Sequence, residues 1–322
     1  MKAICVHEIG GPDVLRFEEM PNPQPGPGQV LICQRAVAVN FIDTYFRSGL
    51  YKAPSLPFVP GVEGAGEIAA LGEGVASFQV GERVAYVANL GAYAELRVVA
   101  ADRLVKVPDA VSDYLAGAAL ARGLTAWFLL RRTFPVRPGH TILWHAAAGG
   151  LGLIAGQWAA HLGAIVIGTV GSPDKEKIAR ANGYHHVINY RTEDFAAVVR
   201  QITDGKGVDV VYDGVGKDTY LKSMQSLRKF GTWVSFGNAS GVVPPLDITS
   251  LQKGSIFITR PTLFDYIEER ENLEAGAKEF FDLIGQGVIS IKNVQSLPLS
   301  KAAEAHRLLE GRERTGVIAL VP

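Results

Sequence analysis

One uncharged segment constrains the fold more than any other part of the chain. Residues 141–170, "TILWHAAAGGLGLIAGQWAAHLGAIVIGTV", contain no Asp, Glu, Lys or Arg. The segment is long enough to cross a membrane, since about 20 apolar residues span a bilayer, but His145, Gln157 and His161 would be costly in lipid. Its internal order is a short apolar run, a glycine-rich turn, a helical pattern over residues 153–162 and a second β-rich run. This order predicts a βαβ unit with buried parallel strands, and not a membrane span.

Composition argues against several classes of protein. The chain has 322 residues, which makes two domains the natural expectation. Its 32 basic and 32 acidic residues balance, so no net charge attracts it to nucleic acid or to an anionic membrane. Its two cysteines, Cys5 and Cys33, are too few for a four-thiolate zinc site and do not suggest a secreted disulfide scaffold. The first residues lack the long apolar region of a signal peptide, so we expect a cytoplasmic protein.

The chain changes character near residue 116. Before it, short β-like runs such as "QVLICQRAVAV" and "AYAELRVVA" are separated by Gly and Pro, which predicts an irregular β barrel or sandwich. After it, strands and helices alternate, which predicts an α/β fold with a doubly wound parallel sheet. The predicted strands are "TILWHA", "AIVIGTV", "HHVINY", "GVDVVYDGV", "GTWVSFG" and "GSIFITR", and the predicted helices are "LIAGQWAAHL", "PDKEKIARAN", "TEDFAAVVRQIT" and "DTYLKSMQSLRK".

The end of the chain is expected to return to the first domain. Two amphipathic helices are predicted at residues 273–284 and 300–310, with Ser300 as the N-cap of the second. A last strand, "GVIALV", follows them, and the two ends of a chain often lie close together. The expected domains are residues 1–122 completed by residues 263–322, and residues 123–262.

A glycine-rich turn follows the first strand of the alternating region. Ala147, Gly149 and Gly152 occupy the three positions of the G-x-G-x-x-G pattern, where small residues let the backbone approach a diphosphate. The helix after the turn adds unpaired N–H groups and a partial positive charge. Such turns also serve plain packing, but the strand–turn–helix setting favours dinucleotide binding by the second domain. The residues expected to contact the cofactor here are Ala148, Gly149, Gly150, Leu151 and Gly152.

The residues after the next strand favour NADPH over NADH. An NAD site usually carries an Asp or Glu about 20 residues beyond the glycines, yet residues 169–172 contain none, and Lys175 follows. A hydroxyl and an ammonium group suit a 2′-phosphate, which a carboxylate would repel. Asp174 is a complication, although it could be an acid in the first turn of a helix. Lys175 could equally be a solvated surface lysine. The expected phosphate pocket comprises Gly171, Ser172, Lys175, Tyr190 and Arg191.

Motifs along the whole chain resemble one known family. The segments "NFIDTYFRSGLY", "GVEGAGEI", "VGERVAY", "HAAAGGLGL", "VINYR" and "VSFGNASG" are similar to those of the medium-chain dehydrogenase/reductase superfamily. More narrowly, they resemble its zinc-free NADPH:quinone oxidoreductases, the zeta-crystallin-like group. The resemblance extends from "HEIGGPDVL" to the closing strand. It implies a Rossmann domain that binds NADPH and a GroES-like β-barrel catalytic domain.

The same resemblance shows which positions would have to supply the ligands of a catalytic zinc ion. Zinc-dependent relatives place a Cys ligand where this chain has "NFIDTY", and a His-Glu pair where it has Val62 and Glu63. A catalytic zinc needs three protein ligands, with nitrogen or sulfur donors prominent. Glu63 and Asp43 alone cannot supply them, and the seven histidines form no ligand motif. We therefore expect no metal.

The resemblance places the catalytic residues in "NFIDTY" and just beyond it. Asn40, Asp43 and Thr44 are implied to hydrogen-bond the cofactor or the substrate. Tyr45 and Tyr51 are implied to flank the substrate, where a hydroxyl could stabilise a developing quinol oxygen; alternatively, both rings only pack and their hydroxyls are tethered. Further implied cofactor contacts are Phe41, Ile42, Thr125, Phe236, Gly237, Asn238, Thr262, Leu263 and Arg312, the last of which could equally be a solvated surface residue.

These features together predict an NADPH-dependent quinone reductase that acts without a metal, by transfer of either a hydride or single electrons from the nicotinamide. A quinone is already electrophilic and needs only orientation near the nicotinamide. One alternative is a reductase of 2-alkenals or enones, which are electronically similar to quinones. Another, of a different class, is a non-catalytic RNA-binding or structural crystallin-like protein, against which the zero net charge and the intact glycine turn count.

An apolar edge of the cofactor domain predicts self-association. The superfamily commonly forms dimers through this edge, and the strand "GSIFITR" would provide it. The alternative is an edge strand covered by its own chain. We expect a homodimer.

Overall fold

The computed structural model describes residues 1–292, 294–311 and 315–322. Its strands are β1 (Lys2–Val6), β2 (Leu15–Glu19), β3 (Gln29–Ala38), β4 (Glu63–Leu71), β5 (Arg83–Val87), β6 (Leu96–Ala100), β7 (Leu104–Lys106), β8 (Thr141–Trp144), β9 (Ile165–Val170), β10 (His186–Asn189), β11 (Val208–Asp213), β12 (Leu227–Ser235), β13 (Phe257–Thr259), β14 (Val294–Pro298) and β15 (Val317–Val321). Its helices are α1 (Phe41–Ser48), α2 (Asp113–Phe128), α3 (Gly150–His161), α4 (Pro173–Arg180), α5 (Phe195–Ile202), α6 (Tyr220–Ser226), α7 (Leu263–Tyr266), α8 (Arg270–Gly285) and α9 (Ala302–Glu310).

The chain forms two compact units. The first comprises Met1–Ala121, Glu269–Gly285 and Ile291–Pro322. The second comprises Arg122–Glu268 and Gln286–Ser290.

The first unit is built on a largely antiparallel sheet. Its strand order is β14-β15-β3-β4-β5-β7, with β6 paired to β3, while β1 and β2 form a separate antiparallel pair. The inward side chains of the long strands, such as Val30, Ile32 and Val84, are completely buried and form the core. β15 pairs antiparallel with β3, with Ala319 opposite Ala38. The last strand therefore returns to the β-rich part of the chain, as expected.

The second unit contains a six-stranded parallel sheet. Its order is β10-β9-β8-β11-β12-β13, which is the 3-2-1-4-5-6 order of the Rossmann fold. Leu143, Ile167, Val211 and Trp233 lie in its core, each nearly or completely buried. The doubly wound sheet predicted from the alternation of strands and helices is confirmed. Successive strands are added on one side of β8 up to β10 and on its other side from β11 onwards. The gap between β8 and β11 is therefore the topological switch point, where such sheets bind ligands.

The uncharged segment forms β8, α3 and β9. Ile142, Ile154 and Ile167, one from each element, are completely buried, which explains why the segment needs no charged residue. Within the described part of the chain, no helix has both the length and the apolar character that crossing a bilayer would require.

Tyr184 joins α3 to β9. A Cβ atom on Gly156 would lie 2.3 Å from the Tyr184 ring and one on Gly168 would lie 2.5 Å from it, so the ring fills space that two glycines leave open. The Tyr184 hydroxyl donates to the Gly152 carbonyl oxygen at 2.7 Å. Burial raises the pKa of Tyr184 well above its ordinary range, so the hydroxyl keeps the proton that it donates. The glycine-rich turn is thereby anchored to the sheet.

Several element boundaries differ from the prediction, and three of the differences have a clear structural description. α6 ends at Ser226, because buried Leu227 already pairs with Val208 in the parallel ladder of β12. Ser300 does not cap α9, because it lies inside a 3-10 turn, Leu299–Lys301, and the helix begins at Ala302. α3 begins at Gly150, three residues earlier than the helical pattern indicated.

The short helix α1 was not predicted. Its segment lies in a region read as irregular β structure with little room for helices. The start signal was present in the sequence, since Asn40 precedes the helix and Asp43 is its third residue. Gly49 ends the helix in the left-handed conformation, with φ of 80°.

Candidate active site

The glycine-rich turn of the second unit has the features of an anion-binding site. Gly149 precedes α3 with an extended backbone, and no side chain caps the first N–H groups of this 12-residue helix. A Cβ atom on Gly152 would lie 2.5 Å from the Ala146 carbonyl oxygen, so only glycine allows this close approach. Uncapped N–H groups at a helix start suit a diphosphate. The structure brings together all the predicted residues of this turn: Ala148, Gly149, Gly150, Leu151 and Gly152.

The ends of β9 and β10 form a second candidate anion site. A Cβ atom on Gly171 would lie 2.8 Å from the Tyr190 hydroxyl oxygen and 3.4 Å from Arg191 Nε, so both side chains meet at this glycine. Ser172 caps α4, and its Oγ accepts a hydrogen bond from the Lys175 backbone N–H at 3.4 Å. The structure thus brings the Tyr190 hydroxyl and the Arg191 guanidinium to Gly171, and Ser172 and Lys175 lie at the start of the helix that follows.

The side chains of Asp174 and Thr169, which lie near this second site in sequence, have partners elsewhere. The Asp174 side chain is 90% exposed and forms an ion pair with Lys177 at 3.2 Å, so it is an acid of the first helical turn. Thr169 is buried and faces His145. The Tyr190 hydroxyl and the Arg191 guanidinium at Gly171 suit a 2′-phosphate, so the residues present fit NADPH.

A buried polar network lies behind the glycine-rich turn. His145 Nδ1 lies 2.9 Å from Thr169 Oγ1, and His145 Nε2 lies 2.9 Å from Ser223 Oγ. Because Ser223 donates its own proton to Asp213 Oδ2 at 2.8 Å, it accepts from His145 Nε2–H. Burial lowers the pKa of His145, although the Asp213 carboxylate opposes the shift, and the ring is neutral. The network holds the ends of β8, β9 and β11 in register beneath the turn.

Arg260, which the sequence reasoning missed, links two loops predicted to contact the cofactor. Its Nη1 donates to the carbonyl oxygens of Ser235 at 3.0 Å and Gly237 at 3.1 Å. With the Asn238 amide turned to satisfy both of its polar atoms, its oxygen accepts from Arg260 Nη2 at 3.0 Å. The guanidinium therefore fixes the loop after β12 to the segment after β13. The available signal was an Arg at the carboxyl end of the predicted strand "GSIFITR".

The other predicted cofactor contacts of the second unit are more scattered. Phe236 directly follows β12, and Thr262 precedes α7, whose first residue is Leu263. Thr125 is partly exposed, whereas its neighbours on either side in α2 are buried. Arg312 lies outside the described residues. Cofactor contact by these residues remains a prediction.

In the first unit, the predicted "NFIDTY" residues form the start of α1. Asp43 is completely buried, and its Oδ2 accepts hydrogen bonds from the Asn40 backbone N–H at 2.8 Å and the Tyr93 hydroxyl at 2.9 Å. Thr44 is also buried, and its hydroxyl donates to the Phe41 carbonyl oxygen at 2.7 Å. The side chains of Asp43 and Thr44 are therefore hydrogen-bonded to other groups of the protein. Of the other residues predicted here, Asn40, Phe41, Ile42, Tyr45 and Tyr51 are all at least partly exposed.

A second buried carboxylate orients Asn40. Asn40 Nδ2 donates to Glu63 Oε1 at 2.8 Å, and the Ala121 backbone N–H donates to Glu63 Oε2. Glu63 is completely buried. It therefore serves as a hydrogen-bond acceptor at the position where zinc-dependent relatives carry a ligand. In the parts of the chain that the structure describes, no group of three or more His, Cys, Asp or Glu side chains could hold a metal ion.

An aromatic cluster lies at the end of α1. The ring centroids of Tyr45 and Tyr51 are 5.1 Å apart in an edge-to-face arrangement, and Phe46 packs on Tyr51 at 5.8 Å. The Tyr51 backbone N–H donates to the Tyr45 carbonyl oxygen at 3.0 Å, which fixes the turn between them. Both tyrosines are packed against each other and still partly exposed. The cluster offers an aromatic surface to a planar ligand.

Comparisons with known proteins agree with this architecture. The family described as "Alcohol dehydrogenase GroES-like domain" matches residues 26–109, and the one described as "Zinc-binding dehydrogenase" matches residues 150–279. A quinone oxidoreductase of Pseudomonas aeruginosa is 49% identical, over 100% of this chain and 99% of that protein. A 2-haloacrylate reductase of a Burkholderia species is 46% identical, over 99% of this chain and 98% of that protein.

A solved structure gives the same result. The crystal structure of Escherichia coli quinone oxidoreductase complexed with NADPH superposes with a TM-score of 0.98, at 44% identity and over the whole length of both chains. The chain therefore belongs to the medium-chain dehydrogenase/reductase family. Within that family it groups with the quinone oxidoreductases, and the predicted Rossmann sheet with a GroES-like domain is confirmed.

Replacement of Arg260 should weaken cofactor binding. Arg260→Ala removes hydrogen bonds that hold the loop of Gly237 and Asn238, and we expect the Kd for NADPH to rise about tenfold, which corresponds to about 1.4 kcal/mol. Isothermal titration calorimetry measures this change. Arg228→Ala is the matched control, because Arg228 lies in the same sheet and pairs with Asp209 at 2.6 Å. Equal affinity in Arg260→Ala and wild type would contradict the role of the loop.

Proposed function

We propose that this protein reduces quinones with NADPH. The observation that carries the proposal is the full-length match to Escherichia coli quinone oxidoreductase complexed with NADPH. The second unit supports it, because its glycine-rich turn and the site around Gly171 suit a diphosphate and a 2′-phosphate respectively. Both of these sites lie at the ends of neighbouring strands of the same parallel sheet.

The chain contributes binding and orientation to the reaction. NADPH, when bound, supplies the hydride that the substrate accepts. The uncapped N–H groups at the start of α3 hold the diphosphate, while Ser172, Lys175, Tyr190 and Arg191 hold the 2′-phosphate. Arg260 fixes the loop that we assign to the nicotinamide side. These contacts use binding energy to orient the cofactor.

We assign the quinone to the residues of α1 and the turn after it. Tyr45 and Tyr51 offer aromatic surface to a planar ring, and a tyrosine hydroxyl stabilises the oxygen on which negative charge develops. Asn40 is held by two buried carboxylates and presents its amide in a fixed orientation. A quinone carbonyl is electrophilic enough to accept hydride once it is oriented, so these neutral groups suffice.

A 2-haloacrylate reductase among the relatives supports a second candidate. That protein is 46% identical along nearly the whole chain. A conjugated carbon–carbon double bond, like a quinone, accepts hydride at carbon and places negative charge on an oxygen. The alternative function is therefore reduction of enones or related activated alkenes.

A substrate panel separates the two candidates. We expect NADPH consumption, followed by its absorbance, with small para- and ortho-quinones, and a kcat/KM for quinones about tenfold or more above that for 2-chloroacrylate or a simple enone, a difference of about 1.4 kcal/mol. Addition of a chelator should leave the rate unchanged. The opposite order of substrates would favour the double-bond reductase, and no turnover with any of them would exclude both.

Lys175 should distinguish NADPH from NADH. Lys175→Ala removes a charge-assisted contact of about 1.5–3 kcal/mol, so the Kd for NADPH should rise about 10- to 100-fold while the Kd for NADH stays the same. Calorimetric titration with each nucleotide measures both constants. Lys177→Ala is the matched control, because Lys177 lies on the same helix, is 80% exposed and pairs with Asp174. Equal losses for the two nucleotides would rule out the proposed 2′-phosphate contact.

We also propose a cytoplasmic homodimer of the zeta-crystallin-like group. Free Cys5 and Cys33 suit a reducing compartment. The segment from Asn40 to Asp43 stands where zinc-dependent relatives are expected to carry a Cys ligand, and Val62 stands where they carry the His of a His-Glu pair, which supports the zinc-free group. For the dimer, β13 is the edge strand of the parallel sheet, and Phe257 on it is 59% exposed. Pairing of this edge with a second copy about a two-fold axis would cover that ring.

A charge on the edge strand should separate the dimer. Phe257→Asp places a carboxylate where the apolar contact is proposed, and we expect a monomer by size-exclusion chromatography with light scattering. Leu221→Asp is the control, since Leu221 is 54% exposed on α6 of the same unit and should leave the dimer intact. A monomeric wild type, or a dimeric Phe257→Asp variant, would refute this interface.

A further inference from the structure

A chain of buried hydrogen bonds in the first unit leads from Arg47 to Asp43. Arg47 Nη1 lies 3.0 Å from His306 Nδ1, His306 Nε2 lies 3.0 Å from the Tyr93 hydroxyl oxygen, and that hydroxyl donates to Asp43 Oδ2 at 2.9 Å. His306, Tyr93 and Asp43 are completely buried, and Arg47 is 3% exposed. The reaction proposed above makes no direct use of Arg47, His306 or Tyr93.

The direction of every bond in this chain is determined. A guanidinium can only donate, so His306 Nδ1 accepts from Arg47. A neutral ring then carries its hydrogen on Nε2 and donates it to Tyr93, whose own hydroxyl proton goes to the Asp43 carboxylate. Burial and the charge of Arg47 lower the pKa of His306 to about 3, in agreement with a neutral ring. Among the described hydrogen bonds and ion pairs, Arg47 contacts the imidazole directly, Asp43 is linked to it through Tyr93, and Glu310 is linked to it through Arg47, with which it pairs at 2.7 Å.

The chain ends on the residue that orients Asn40. The Asp43 oxygen that accepts from Tyr93 also accepts from the Asn40 backbone N–H at 2.8 Å, while Glu63 accepts from the Asn40 side chain at 2.8 Å. Two buried carboxylates thus fix the main chain and the amide of one partly exposed residue at the start of α1. A hydrogen bond from a neutral donor favours the charged form of a carboxylate and holds one of its rotamers.

We propose that Arg47, His306 and Tyr93 are positioning residues that keep Asp43 charged and oriented, and that through Asp43 they place the Asn40 amide for the substrate. The proposal rests on the proposed quinone reductase function. The three residues act through Asp43, and none of them touches substrate. Their loss should therefore affect turnover of the substrate much more than binding of NADPH.

Removal of one hydroxyl tests the chain. Tyr93→Phe keeps the ring and breaks the links to His306 and Asp43. We expect kcat for a quinone to fall about tenfold, as for loss of a hydrogen bond to a charged group, with the Kd for NADPH within about twofold of wild type. The acid limb of kcat against pH should move to higher pH, because the carboxylate has lost a donor that favours its charged form.

A second buried tyrosine provides the control. Tyr86 is also completely buried in the first unit, but its hydroxyl donates to Gln34 and not to this chain. Tyr86→Phe should lose comparable thermal stability and keep the wild-type kcat and pH profile. If Tyr93→Phe keeps them as well, or if both variants lose activity equally, the positioning role is refuted.

A measurement without turnover separates this inference from the proposed function. Histidine-selective ¹⁵N NMR, with His306→Gln to assign the signal, should show His306 neutral with its hydrogen on Nε2 throughout the range from pH 5 to 8 that brackets the ordinary His pKa of about 6.5. A ring that titrates in this range, or that carries its hydrogen on Nδ1, overturns the chain even if quinones are reduced. A wild type that reduces no quinone overturns the function, while the NMR result still decides the direction of the chain.

Discussion

The close approach of α3 to the end of β8 is the constraint on which the second unit depends. It requires a hydrogen atom in place of a side chain at Gly152, since a Cβ there would overlap the Ala146 carbonyl oxygen. The same requirement recurs at Gly156 and Gly168, where the Tyr184 ring fills the space. Because the helix lies so near the strand, its first N–H groups stand at the carboxyl edge of the sheet, where an anion can reach them. Packing and cofactor binding therefore impose one and the same restriction on the sequence.

Much of this could be predicted because it is encoded locally. The alternation of strands and helices, the glycine spacing and the absence of an acid in residues 169–172 are each visible within a short window. The doubly wound sheet follows from the first of these features and is confirmed. The meeting of Gly171 with Tyr190 and Arg191 follows from adjacency of parallel strand ends, which the predicted topology already implies.

What could not be predicted depends on pairs that are distant in sequence. Arg260 and Ser235 are held together because β12 and β13 are neighbours, but nothing in "GSIFITR" shows that its Arg turns toward a loop. His306 and Arg47 are 259 positions apart, and their contact requires α1 and α9 to pack together. Short elements were also misread, since α1 has only eight residues and Ser300 lies in a 3-10 turn that competes with a helical cap. Tertiary packing decides these cases, and local patterns do not contain it.

Each unit uses a buried neutral imidazole in the same physical way. His145 links the Thr169 hydroxyl to Ser223 and Asp213, and His306 links Arg47 to Tyr93 and Asp43. A neutral imidazole is a side chain with one donor and one acceptor on opposite sides of a rigid ring, so it passes a fixed direction of hydrogen bonding from one element to another. Burial lowers the pKa of both rings, and this keeps the acceptor nitrogen free of a second proton. In each unit the chain of bonds ends on a buried carboxylate, whose negative charge requires donors around it. The geometry of the candidate site therefore depends on charges that are satisfied well behind its surface, and substitutions there can change chemistry without touching a ligand.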